Sequence, residues 1–269
     1  MRDSVILTED RLREEVEYFL KYDAFVFDVE TMPTTEGGED RGVPKYNDVV
    51  WIALATQGRA IVIPMGHPNG DVMLRKATRR KNKETGKFDP IPVLYDAPPK
   101  QLTPSIVFSI LRPLFFSKRT KIAHNATFDV GSIAKYYGEE VPPGPYEDTI
   151  MLQHLVNENL ISKRLKDLII KYWAVKYDHD DTGKCIEKHP FSKVAHYAYM
   201  DAKYTWLLWK MLRPKIDWVD ENGKNLEKVN FLETELLPVL VDMNLEGAPV
   251  DEDALIALEQ ELSVMESEI

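Results

Sequence analysis

The chain has 269 residues, 44% of them hydrophobic and 29% charged, which suits one large domain, or one domain and part of another, and reads as soluble and globular. Its formal net charge of -10 leaves nucleic-acid binding open only through metal ions or a local basic patch. No apolar run reaches the length of a membrane span, the N-terminus lacks a signal-peptide layout, and the single cysteine, Cys185, excludes an internal disulfide and a cysteine-based zinc site, which fits a reducing, cytoplasmic setting.

Residues 9–21 place Leu12, Val16, Phe19 and Leu20 among charges, the pattern of an amphipathic helix. Ala24-Phe25-Val26-Phe27-Asp28-Val29-Glu30-Thr31 follows. Its apolar start has no clean alternation, as in a central strand covered on both faces. Side chains alternate along a strand, so Asp28 and Glu30 point the same way. Two like charges at the end of a buried strand are unfavourable unless a cation sits between them, and a divalent ion with oxygen ligands is the simplest candidate. A solvated strand end is the bland alternative.

Residues 34–47 read as a loop, and Val49–Thr56 and Ala60–Ile63 as two strands joined by a turn at Gln57-Gly58. Residues 67–100 interrupt the pattern. Between Arg75 and Lys87 seven basic residues, including Arg79, Arg80 and Lys81, face one acid, Glu84, with no apolar periodicity. Such a run is either a solvated excursion or a nucleic-acid contact. Thr103-Pro104 opens a helix, and residues 120–123 form a short strand ending at His124-Asn125. Residues 128–137 form a helix that stops near Gly138, Asp148 caps another, and 164–173 make a third. Residues 177–189 are polar and irregular, and Asp178, Asp180 and Asp181 there read as solvated. A long helix spans residues 190–212, with Trp206 and Trp209 in its apolar part. This order describes an α/β domain with a mixed sheet, antiparallel at the hairpin.

Asp129 stands one turn into the helix after Asn125, and Asp201 lies four residues after Tyr197 on one helical face. If that long helix crosses the end of the first strand, Asp28, Glu30, Asp129 and Asp201 form one acidic cluster. Such a cluster suits two divalent metals about 3.5–4 Å apart that clamp a phosphate during in-line displacement. His124 and His196 read as packed or hydrogen-bonded rather than ligating, and His154 as a helix-face residue.

Three stretches resemble the motifs of the proofreading exonuclease superfamily with four catalytic acids: Phe27-Asp28-Val29-Glu30-Thr31, His124-Asn125-Ala126-Thr127-Phe128-Asp129 and, in the tyrosine version, Tyr197-Ala198-Tyr199-Met200-Asp201. The resemblance implies an RNase H-like fold. Ile61–His67, Asp148–Leu152, Glu235–Leu240 and Gly247–Asp251 are similar to segments of family-A DNA polymerases, so the match runs from about Asp23 to the C-terminus, outside the basic excursion. It implies a 3′→5′ exonuclease domain over residues 1–222, with 223–269 beginning an incomplete polymerase (thumb) region too short to add nucleotides.

By that resemblance Asp28 bridges two Mg2+ or Mn2+ ions, Glu30 and Asp201 hold the ion that activates water, Asp129 supports the second ion, and Tyr197 orients the water. Thr31 and Asn125, inside the motifs, are candidate substrate contacts; Arg79, Arg80 and Lys81 are candidates on charge alone. The implied partners are a single-stranded or frayed DNA 3′ end and the remainder of a polymerase, in cis or in trans, with no membrane. A ribonuclease D-like exoribonuclease shares the tyrosine motif, and the pattern from Pro238 to Asp251 argues for the polymerase instead. A non-catalytic DNA-binding domain on the same fold would be expected to have lost an acid, and none is lost.

Overall fold

The computed structural model describes residues 4–34, 43–81, 88–177, 182–220, 222–247, 249 and 251–267. Helix α1 (Glu9–Phe19) leads into β1 (Ala24–Pro33), β2 (Asn47–Thr56) and β3 (Arg59–Pro64). Four short strands follow: β4 (Met73–Arg75), β5 (Thr78–Lys81), β6 (Phe88–Ile91) and β7 (Leu94–Tyr95). Then come α2 (Pro104–Phe115), β8 (Thr120–Ala123), α3 (Ala126–Ala134), β9 (Tyr146–Asp148), α4 (Thr149–Val156), α5 (Leu165–Trp173), α6 (Phe191–Asp217), α7 (Glu227–Glu246) and α8 (Glu252–Ser267).

The main sheet runs β3-β2-β1-β8-β9. β1, β2 and β3 pair antiparallel, with Gly58 turning at φ 74°, while β8 and β9 join in parallel. This is the expected RNase H-like mixed sheet. β9 adds a strand that its three-residue length hid from the sequence. The β1–β8 ladder is short, pairing Ala24, Val26 and the residue between them, and β1 carries a register shift between Glu30 and Thr31.

Alternation on β1 decides where the acids go. Phe25, Phe27 and Val29 face a core built with α1, α2, α3 and α7, where the Phe115 ring meets Phe25 and Phe27 edge-on at 5.7 and 5.2 Å. Ala24 and Val26 face the other way, against Val194, Ala195, Ala198 and Ala202 of α6. Asp28 and Glu30 continue this second row and so point towards α6. The small alanines let α6 lie close to the sheet. The helix runs on past the expected end at Leu212, through Pro214 to Asp217.

The basic excursion contains more structure than expected. β4 pairs with β7, and β5 with β6, as two antiparallel ribbons. Its root is clamped: the Gln101 side chain accepts from the amides of Gly66 and His67 and donates to the His67 carbonyl. Asn69 donates to the carbonyls of Glu187 and His189, and the Ser192 amide donates to Asp71 at 2.7 Å. The root therefore sits on the start of α6. These polar ties show nothing of the apolar periodicity by which strands and helices are read from sequence.

The C-terminal segment also differs in detail. α7 docks through Leu237 and Val241, which are buried one turn apart. Phe231 and Met243 on the same helix are about 60% exposed, because the i, i+4 row of Leu237 and Val241 sets the buried stripe. In α8, Leu255, Leu258, Leu262 and Met265 are each roughly half exposed. Among the described residues no helix is long and apolar enough to cross a membrane.

Candidate active site

Carboxylate oxygens of Asp28, Glu30 and Asp201 all lie within 4.8 Å of one another, two from β1 and one from the middle of α6. Glu30 and Asp201 are buried, and Asp28 Oδ2 is buried with no hydrogen-bond partner among the described residues. Burial, then repulsion from Glu30, Asp129 and Asp201, pushes the Asp28 carboxyl well above the usual carboxylate range. An unpartnered, buried carboxyl oxygen within a group of three hard ligands fits a divalent cation, which would offset the charge these acids share.

Asp129 is held differently. Its Oδ1 accepts the backbone N–H of Val29 at 2.9 Å, which anchors it beside the strand acids but outside that three-residue group. Its own carboxyl is raised by burial, an effect the Val29 bond opposes. Asn125 occupies the N-cap of α3 in the left-handed region, φ 77°, and makes no side-chain cap bond. Asp148 does that work from the neighbouring strand, accepting from the amides of Asn125, Ala126 and Ile150 and so capping α3 and α4 together. The sequence shows Asp148 only as the cap of its own helix.

Tyr197 is buried one turn before Asp201 on α6. Its hydroxyl accepts from Lys166 Nζ of α5 at 3.0 Å. Tyr177 donates to Asp201, and its ring lies 6.3 Å from that of Tyr197. A cleft of about 470 Å³ opens here, lined by Tyr177 and Tyr197 with Arg164, Lys166, Lys176 and Lys184 around it. Sequence reasoning missed Lys166 and Tyr177; a charge on an amphipathic helix and an aromatic in a polar loop carry no signal of their own.

Thr31 follows the register shift at the end of the paired acids. His124 bonds Thr149 at 2.8 Å, and burial lowers its imidazole to about 4. Trp206 and Trp209 pack on the sheet side of α6, and Trp209 also donates to Glu147. Arg79 is exposed on β5. The side chains of Arg80 and Lys81, and Asp178, Asp180 and Asp181 entirely, lie outside the described residues.

Residues 4–217 match the family model described as 3'-5' exonuclease, about four fifths of the chain. The chain belongs to this exonuclease family. No curated protein matches it by sequence. Solved structures add the fold. Brucella melitensis NrnC with bound Mg2+ is 19% identical with a TM-score of 0.55, over 86% of this chain and 90% of that one. Trypanosoma brucei RNase D is 14% identical with a TM-score of 0.57, over 92% and 74%. Escherichia coli RNase D, an exoribonuclease involved in structured RNA processing, is 18% identical with a TM-score of 0.51, over 92% of this chain and 51% of that one. A second NrnC structure holds pGG. The exonuclease family thus accounts for the chain up to the end of α6. These neighbours are not polymerase domains, and the polymerase context drawn from the C-terminal motifs finds no support among them.

Proposed function

We propose that this chain is a divalent-metal-dependent 3′→5′ exonuclease that hydrolyses the terminal phosphodiester of a single strand and releases 5′-mononucleotides. The carrying observation is the cluster of Asp28, Glu30 and Asp201 with its unpartnered Asp28 oxygen. Water attacks the phosphorus, the P–O3′ bond breaks, and the 3′-oxygen leaves with a proton. Divalent cations supply a Lewis acid that makes water nucleophilic at neutral pH and offsets charge on the phosphate. Asp28, Glu30 and Asp201 would hold one such ion. Asp129, with Asp28, would hold a second, and Tyr197 would orient the water.

For the substrate, RNA is the better-supported reading, because likeness to NrnC and RNase D extends over at least 86% of the chain. The second reading is a proofreading domain acting on a DNA 3′ end, favoured by the polymerase-like segments from Glu235 to Asp251. Thr31, Asn125 and the ribbon residues Arg79, Arg80 and Lys81 are proposed substrate contacts, since the ribbons are rooted on the start of the helix that carries Asp201.

The test is cleavage of 5′-labelled single-stranded oligonucleotides of one sequence in ribose and deoxyribose form, with Mg2+ or Mn2+. Asp28→Ala or excess chelator should lower the rate at least about 100-fold while the fold persists. A preference for ribose of about 10-fold or more supports the RNA reading, and a deoxyribose preference restores the proofreading one. Full activity in Asp28→Ala would sink the metal assignment altogether. Replacing Arg79, Arg80 and Lys81 by Ala should flatten the salt dependence of binding by about one to three charges, and an unchanged slope leaves the ribbon a solvated excursion.

A further inference from the structure

Lys166 stands in the first turn of α5, where a sequence reading sees only a solvated charge. In the folded chain its ammonium donates to the Tyr197 hydroxyl at 3.0 Å and lies 4.5 Å from the centre of the same ring. The tyrosine has little freedom to respond. It is 8% exposed, and Gly183 closes on it so tightly that a Cβ there would stand 2.4 Å from the hydroxyl oxygen and 3.0 Å from Cζ. Lysine on one element and a glycine backbone on another therefore fix where that oxygen sits.

The chemistry of the pair sets the direction of the hydroxyl as well as its position. An ammonium has donors only, so Tyr197 Oη must accept from Lys166 and its own proton must point elsewhere. A hydroxyl that accepts from a cation becomes a stronger donor, because successive hydrogen bonds polarise one another. Asp201, one turn along α6, already accepts from Tyr177. The same ammonium offsets part of the carboxylate repulsion felt by Asp28, which places its charge beside the acids rather than out in solvent.

We infer that Lys166 is a positioning residue for hydrolysis: by donating to Tyr197 Oη it turns that hydroxyl's proton towards the water that attacks the phosphorus. This rests on the proposed exonuclease reading and on Tyr197 as the residue that orients water. A lysine that only gripped substrate phosphate would act on KM whatever stands at position 197.

The experiment is a double-mutant cycle in the full chain, on the oligonucleotide with the preferred sugar, with kcat and KM measured separately. Lys166→Met should lower kcat about 10-fold, with KM within about twofold of wild type. Lys166→Arg, which keeps a donor-only cation, should recover much of the loss. In the Tyr197→Phe background, Lys166→Met should change kcat by less than about twofold, because the oxygen it orients is gone. Equal losses in both backgrounds, or a change confined to KM, overturn the inference and leave the exonuclease reading standing. Full activity in Tyr197→Phe overturns the role of Tyr197 and this inference with it. Thermal melting checks folding; if Lys166→Met does not fold, Lys166→Gln removes the charge while keeping polarity, and the same comparison between backgrounds decides.

Discussion

Val29 donates its backbone N–H to Asp129 Oδ1 at 2.9 Å, so a carboxylate on α3 is tied to the strand residue between Asp28 and Glu30. The bond uses the main chain, so it fixes Asp129 relative to both strand acids at once. A buried carboxylate that accepts an amide N–H is partly compensated for its lost hydration.

That relationship separates two substitutions. Asp129→Asn keeps an oxygen acceptor for Val29 and removes the charge, so the fold should hold while activity falls by about 100-fold or more. Asp129→Ala removes the acceptor as well and should cost a further 1–3 kcal/mol or so of stability, as a buried N–H loses its partner. Urea unfolding of both variants beside their rates checks this. Equal stability of the two would show that the Val29 bond contributes nothing.

Asp148 serves two helices, so its loss should cost more than one cap. Asp148→Ala strands the amides of Asn125, Ala126 and Ile150 and should destabilise the chain by about 2–3 kcal/mol, against about 1 kcal/mol for a typical single cap. Asp148→Asn should recover part of it. A midpoint shift no larger than that for Thr103→Ala, which caps α2 alone, would refute the shared role.

These two acids mark what was legible in the sequence. Asp28 and Glu30 could be placed on one face because strand alternation is a rule of period two, whereas the crossing of α6 over them entered only as a condition, with Tyr197 and Asp201 on one helical face. The Val29–Asp129 and Asp148 bonds could not be seen, since each joins a side chain to a backbone amide on a different element. β9 gives only Tyr146-Glu147-Asp148, too short for a pattern. Lys121 is fully buried, yet it is satisfied by the carbonyls of Ser117 and Arg119, a solution that composition does not reveal.

The histidines give the chain a pH dependence with a defined sign. Burial lowers His67 and His124 to about 4, below the ordinary value near 6.5. The unfolded chain therefore binds protons between about pH 6.5 and pH 4 that the folded chain does not. Stability from these groups is fully present above that window and is lost as pH falls through it. His67 sits against Trp51 and Phe191, with Asp71 and Glu187 near enough to oppose the shift in part. In His67→Leu the fall in urea midpoint from pH 7 to pH 5 should be shallower than in wild type; an unchanged slope would show that His67 does not contribute.

The terminal helix should behave as a loosely held appendage. With its apolar side chains about half exposed, α8 should exchange its amides within seconds to minutes, while β1 exchanges only on global unfolding. Truncation after Asp251 should leave activity and melting temperature nearly unchanged. If truncation unfolds the chain, or if α8 is as protected as β1, the helix belongs to the nuclease core.

The shortness of β8 has a consequence for how this fold can change. Four residues let β8 accompany β1 only as far as Val26; beyond that point the flank of β1 is left to the first turn of α3, and the Val29 amide becomes available to Asp129. Three further pairs along β8 would carry the ladder past Asp28 and claim that amide for the sheet. The place where chemistry can happen is therefore set by where a strand stops. Insertions such as the basic ribbons, rooted between the end of β3 and the start of α6, can lengthen, shrink or change charge without disturbing that stopping point.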